Sequence, residues 1–155
     1  HQTNSHVLPG LLDRFHKHAQ EKKDTIECWG TGKPRREFMH VDDLAQACTF
    51  ALEKWNPKAK NAPLDKDGSP LTLLNVGTSK DISIKELAEL IKNLTSYKGK
   101  IIWDKSKPDG TYQKLLDVSK MHKLGWKAKI DLEQGLKITY EDYLKDLEKN
   151  NLRRK

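Results

Sequence analysis

A chain of 155 residues suits one domain with a single core, and 35% apolar against 33% charged residues makes that core thin under a heavily ionised surface. No apolar run reaches the length of a membrane span and no charged start leads into an apolar stretch, so membrane and secreted classes are set aside and a cytoplasmic location is expected. The 29 basic and 22 acidic residues leave a net charge of +7, which favours a polyanionic partner. Lysines mixed with Glu and Asp, without interleaved aromatics, argue against nucleic acid and suit a small ligand such as a nucleoside diphosphate.

From Val7, the residues Leu8, Leu11, Leu12 and Phe15 recur at helical spacing, with Pro9 in the first turn, where its missing donor costs little. Thr25-Ile26-Glu27-Cys28-Trp29 alternates as a half-buried strand does. Gly30 and Gly32 then loosen a turn, Pro34 stiffens it, and Arg35 and Arg36 are delivered beside Trp29. Phe38-Met39-His40-Val41 reads as a short extended segment. After it, Asp42 or Asp43 caps a helix with Leu44, Ala47, Cys48, Ala51, Leu52 and Trp55 on one stripe.

Residues 56–70 form an exposed loop by composition, and the dense apolar run 71–76 predicts a strand buried on both faces. Ser83 and Glu86 fit a capping box ahead of Leu87, Leu90, Ile91 and Leu94. Residues 100–103 predict a strand, 107–110 a turn, and Asp117 to Gly125 a short helix. Asp131 opens a last helix with Leu136, Tyr140, Tyr143, Leu144 and Leu147 facing inward. Cys28 and Cys48 have no metal-ligand spacing and read as buried small hydrophobes. The class is α/β, a small mixed sheet with helices, and no G-x-G-x-x-G fingerprint follows any strand.

The chemistry concentrates in two places. Guanidinium forks bind phosphates through paired hydrogen bonds, and the Trp29 indole can stack on a base or a sugar face, although a basic loop closing a hairpin has the same composition. His6 carries an imidazole, a side chain that can deliver a proton to a carbon beside a carbonyl; a solvated histidine is the alternative.

These residues also carry a resemblance. Asn4-Ser5-His6-Val7-Leu8-Pro9 through His16, Trp29 through Asp43, Asn75-Val76-Gly77-Thr78, Ser106-Lys107-Pro108-Asp109-Gly110-Thr111 with Lys114-Leu115-Leu116-Asp117, and Leu124-Gly125-Trp126 run in the order of one family. The chain resembles the C-terminal part of the GDP-L-fucose synthase family of the extended short-chain dehydrogenase/reductase superfamily. The resemblance implies conversion of GDP-4-keto-6-deoxymannose to GDP-L-fucose, by epimerising two carbons beside the ketone and reducing the ketone with NADPH. It implies that His6 is an acid in epimerisation and also meets the cofactor, and that Arg14, Trp29, Arg36, Asp109 and Lys114 bind the substrate. Trp29 as a core aromatic, Asp109 as a turn residue and Lys114 as a solvated lysine are the plain alternatives.

The departures are as informative. The family's Gly-x-x-Gly-x-x-Gly and Tyr-x-x-x-Lys are absent, and Leu144 stands at the fourth place after Tyr140. The resemblance therefore implies that the N-terminal Rossmann half is missing, that residues 1–150 are a substrate-binding domain with a charged tail at 151–155, and that the chain is inactive alone. The implied partners are a GDP-sugar and that missing half, with a homodimer for the full-length protein. Two other readings stay open: the substrate domain of another extended nucleotide-sugar epimerase or dehydratase, and a stand-alone nucleotide-sugar-binding module. A truncated domain should leave apolar surface exposed around residues 7–15 and 71–76.

Overall fold

A computed structural model describes residues 6–149 of the chain. Asn4, Ser5 and the 151–155 tail lie outside the described residues. In chain order the elements are α1 (Val7–Gln20), β1 (Thr25–Trp29), β2 (Arg35–Glu37), α2 (Val41–Lys54), β3 (Asp81–Ser83), α3 (Ile84–Leu94), β4 (Lys100–Asp104), β5 (Gln113–Lys114), α4 (Ser119–Lys123) and α5 (Leu132–Glu148). They divide into two compact units. The first takes the chain up to Arg36, residues 82–113 and the chain from Glu133 onward; the second takes residues 37–81 and 114–132.

In the first unit, β1 pairs in parallel with β4 over Thr25↔Lys100 to Trp29↔Asp104. The alternation of β1 sends Ile26 and Cys28 into the core and leaves Thr25, Glu27 and Trp29 exposed. Leu11, Leu12 and Phe15 of α1 and Leu87, Ala88 and Ile91 of α3 are buried in the same unit. Each large apolar side chain so buried contributes roughly 1.5–3 kcal/mol. Phe15 meets Tyr97 edge to face at 5.5 Å.

Helix α3 begins with the expected box: Ser83 Oγ accepts from the Glu86 N–H, and the Glu86 carboxylate accepts from the Ser83 N–H. Three helices end alike. The N–H of Lys22, Ser96 and Gly125 bonds back to the carbonyl of Ala19, Asn93 and His122, and the next N–H bonds to that of His18, Lys92 and Met121. These are Schellman endings, and all three hinge residues take positive φ: 51°, 56° and 104°.

In the second unit, Ala47, Met121 and Trp126 form the core, with Met39, Phe50, Leu74, Val76 and Ala128 against them. Two carboxylates fasten loops here. Glu37 accepts from the N–H groups of Thr78, Ser79 and Leu116, and buried Asp43 accepts from those of Lys129 and Ile130. Charge-assisted bonds of this kind satisfy backbone donors that no strand takes up.

Several expectations need correction. The extended segment lies at Arg35–Glu37 and not at 38–41, and it joins a three-stranded sheet in the order β3-β2-β5. The cap of α2 is His40, whose Nδ1 accepts from the Asp42 N–H, because Asp43 is drawn inward to the Lys129 and Ile130 amides. The apolar stripe of α2 is turned out: only Asp43 and Ala47 are buried, while Leu44, Cys48 and Leu52 are exposed, Leu52 by 88%. Residues 71–76 form no strand; Leu74 and Val76 reach the core, whereas Leu73 is 81% exposed. Cys28 is buried as expected and Cys48 is not.

Candidate functional site

The end of β1 builds the site. Alternation along the strand leaves Trp29 pointing away from the core, 68% exposed. Gly30 and Gly32 follow at φ 77° and 72°, backbone that L side chains rarely adopt, and the chain bends at both. A Cβ on Gly30 would overlap the Asp109 carboxylate, and one on Gly32 would lie 2.8 Å from the Trp103 ring. Both positions demand glycine twice over.

Trp29, Arg36 and Asp109 are brought together around this turn. Asp109 accepts from the Thr31 N–H at 2.7 Å and from the Thr31 hydroxyl at 2.5 Å. These bonds, the hydroxyl's first, hold its carboxyl below the ordinary range, with Lys33 adding a smaller pull. Arg36 donates from Nη1 to the Arg35 carbonyl at 2.7 Å, and its Nη2 lies close to Gly110, 3.3 Å from where a Cβ there would sit. Arg35 diverges from it, reaching Glu86 at 3.6 Å. Sequence reasoning missed Lys107, whose Nζ stands 5.7 Å from the centre of the Trp29 ring.

The other three residues belong to other elements. His6 is the N-cap of α1; its carbonyl accepts from Gly10, its side chain makes no capping bond, and it is exposed. Arg14 lies two turns further, about 12 Å by helix rise, where its Nη2 donates to the Glu27 carbonyl on β1. One guanidinium nitrogen is thus spent on joining α1 to β1, two residues from Trp29. Lys114 closes β5, is exposed, and falls in the second unit. Cys28 is sealed, and burial pushes its thiol up, so it is a protonated core side chain and no nucleophile.

What stands at the turn is an exposed indole faced by an ammonium, with a guanidinium beside the 107–110 loop. That combination holds a planar ring together with phosphates. Comparison with known proteins gives the frame. Residues 1–63 match the model of the NAD dependent epimerase/dehydratase family. Over 95% of its length the chain is 46% identical to a putative GDP-L-fucose synthase 2 of Arabidopsis thaliana, and over 94% it is 44% identical to the GDP-L-fucose synthase of Escherichia coli. The chain is thus similar to the NAD dependent epimerase/dehydratase family over residues 1–63 and to these relatives over nearly all of its length.

The fold agrees as well. A GDP-mannoheptose C4 reductase of Campylobacter jejuni, solved with NADP bound, superposes with a TM-score of 0.75 at 37% identity, covering 92% of this chain and 46% of that one. The chain spans about two-fifths of the curated relatives it matches, 41% and 44% of their lengths. The α/β class holds, with small sheets among helices, and the likeness to the NAD dependent epimerase/dehydratase family agrees with the expected superfamily.

A nicotinamide dinucleotide needs a glycine-rich turn whose amides cradle its pyrophosphate. Gly30 and Gly32 do not supply one, because the space their missing Cβ atoms leave is filled by the Asp109 carboxylate and the Trp103 ring. Among the described residues His6 is the one expected to meet the cofactor, and a single imidazole is no seat for it. No helix among the described residues is long and apolar enough to cross a membrane.

Proposed function

We propose that this chain is the C-terminal, nucleotide-sugar-binding part of a GDP-L-fucose synthase, which turns GDP-4-keto-6-deoxymannose into GDP-L-fucose by 3,5-epimerisation and NADPH-dependent 4-reduction. The observation that carries it is the meeting of Trp29, Arg36 and the 107–110 loop around one turn, in a chain 44–46% identical to relatives of that name. In this reading Trp29 stacks on the nucleotide, and Arg36 with Lys107 neutralises the diphosphate. Arg14 extends the grip toward the sugar, and Lys114 is carried over by resemblance as a further substrate residue.

His6 then acts as the acid of epimerisation. Removal of a proton beside the ketone leaves an enolate, and the protonated imidazole returns a proton to that carbon from the other face. The residues that draw the first proton and carry out the reduction belong to the half that the longer relatives possess. Residues 1–150 act as the substrate-binding domain, residues 151–155 as a charged tail, and the chain has no turnover by itself. The longer protein is a cytoplasmic homodimer.

Calorimetric titration of the full chain with GDP, UDP and dTDP tests the reading, with GDP bound at least roughly tenfold more tightly than the others. Equal or absent uptake of the three would remove the guanosine-sugar assignment and favour another nucleotide-sugar enzyme of the family. NADPH oxidation with the GDP-keto-sugar should stay at background for the chain alone. Turnover there would overturn the assignment of reduction to residues outside this chain.

A further inference from the structure

We propose that Thr31 is a positioning residue for the nucleotide site: its amide and hydroxyl clamp the Asp109 carboxylate in the orientation from which Asp109 accepts hydrogen bonds from the ligand. The inference deepens the GDP-sugar reading and rests on it.

A carboxylate on an exposed loop turns about its side-chain bonds, and that freedom is lost when it grips a ligand. Asp109 has already given it up. Its Oδ1 accepts from the Thr31 N–H at 2.7 Å and its Oδ2 from the Thr31 hydroxyl at 2.5 Å, across 78 residues of sequence, so both the place and the plane of the group are fixed. An ionised carboxylate offers about four lone-pair positions, and about two remain once Thr31 is served. Asp109 is exposed, so those that remain face a donor arriving from outside.

Thr31 has its own direction set by its neighbours. The Gly30 N–H donates to the Asp104 carbonyl and the Lys85 N–H to the Gly32 carbonyl, each at 2.9 Å, so Thr31 stands between two anchored glycines. Its hydroxyl accepts from the Lys33 N–H at 3.2 Å, which leaves the hydroxyl proton for Asp109. Thr and Ser can both donate and accept at Oγ; the isosteric Val can do neither. Gly30 leaves the carboxylate its room, since a Cβ there would fall 2.2 Å from Oδ1.

Charge follows the same geometry. The Thr31 hydroxyl, then its amide, holds the Asp109 carboxyl below its ordinary range, with Lys33 adding a smaller pull, so at neutral pH the group presents acceptors only. Trp29 lies two residues before Thr31 and Lys107 two before Asp109, and the ammonium faces the indole at 5.7 Å. The clamped acceptor therefore belongs to the same pair of loops as the groups that hold base and phosphate. A nucleoside brings N–H and O–H donors to it.

Calorimetric titration of the full chain with GDP tests the proposal, with circular dichroism as the check on folding. Asp109→Ala removes the acceptor and should weaken GDP by at least roughly tenfold. Thr31→Val leaves the carboxylate present but unheld and should also weaken GDP, by roughly tenfold or less, while Thr31→Ser should stay within about twofold of wild type. Adding Thr31→Val to Asp109→Ala should cost nothing further, because no carboxylate is left to hold. Wild-type affinity in Thr31→Val or in Asp109→Ala, a Thr31→Ser as weak as Thr31→Val, or losses that multiply in the double variant would overturn the proposal. The Asp109 carboxyl resonance, followed by NMR against pH, supplies a readout that mere loosening of the turn would not move: in Thr31→Val its titration should shift to higher pH. If the wild type takes up no GDP, the GDP-sugar reading fails, and the same titration judges the clamp; an unmoved resonance would sink it.

Discussion

At the scale of single residues, the turn after β1 uses neighbours that look alike for different ends. Arg35 reaches Glu86, while Arg36 stays beside Gly110. If Arg36 grips the diphosphate with its planar fork, Arg36→Lys keeps the charge and loses paired bonding, so GDP affinity should fall by roughly tenfold with folding unchanged. A calorimetric titration of that variant decides it.

His16 is the other informative residue. Its Nδ1 lies 2.9 Å from the Tyr140 hydroxyl, and its ring meets Tyr143 edge to face at 5.4 Å. Tyr143 in turn donates to Asp13, which also pairs with Lys17. Burial lowers the imidazole below its ordinary 6.5, against an upward pull from Asp13, with Lys17 adding a smaller downward one. The unfolded chain takes up this proton more readily, so the contribution to stability is present above 6.5 and declines as pH falls through the lowered folded value. Melting temperature should therefore drop on acidification below that point, and His16→Gln should flatten part of the drop.

Asp109 titrates with the same sign. Its carboxyl is held low, so the Thr31 clamp persists through mild acid and lapses only below the ordinary carboxylate range. None of these partnerships could be read from the sequence. Asp109 looked like a ligand residue or a turn residue, and the Thr31 hydroxyl that engages it stands 78 positions away.

Among the elements, those with a strong local signal were legible. The helical spacing of Leu8 to Phe15, the alternation of Thr25–Trp29 and the Ser83–Glu86 box each reflect interactions within a few residues, and each element stands where they put it. β2, β3 and β5 have two or three residues each and charged or polar composition, so nothing in their own sequence marks them. They become strands because a distant partner supplies the hydrogen bonds. Residues 71–76 show the converse, apolar enough for a central strand yet without one.

Helix endings give a sharper test at this scale. Lys22 and Ser96 occupy the left-handed position of their Schellman endings, where a side chain is strained and glycine is not. Lys22→Gly and Ser96→Gly should each raise stability, by up to about 1 kcal/mol in urea unfolding. Gly125, already glycine at φ 104°, should lose at least as much on change to Ala.

For the molecule as a whole, the distribution of apolar surface departs from the pattern in the chain. Leu11, Leu12 and Phe15 are covered, so the expected patch on α1 reduces to Val7 at its start, and the one expected over residues 71–76 reduces to Leu73, since Leu74 and Val76 pack on the core. The larger exposure is on α2, at Val41, Leu44, Cys48 and Leu52. An environment-sensitive apolar dye should bind the chain at neutral pH, and Leu44→Lys with Leu52→Lys should reduce the signal without loss of stability. No dye binding by the wild type would show this face to be covered in solution.

The sequence by itself determined the class, the longer elements, the family likeness and the set of residues from which a nucleotide-sugar site is drawn, because periodicity, capping and motif order are local properties of the chain. Tertiary structure alone decided which of those residues meet. It brought Trp29, Arg36, Lys107 and Asp109 to one turn, gave Asp109 to Thr31, turned Asp43 inward and left the stripe of α2 uncovered. A side chain's partner is fixed by the path of the backbone through space, and contacts between segments seventy or more residues apart leave no trace in the spacing of either segment.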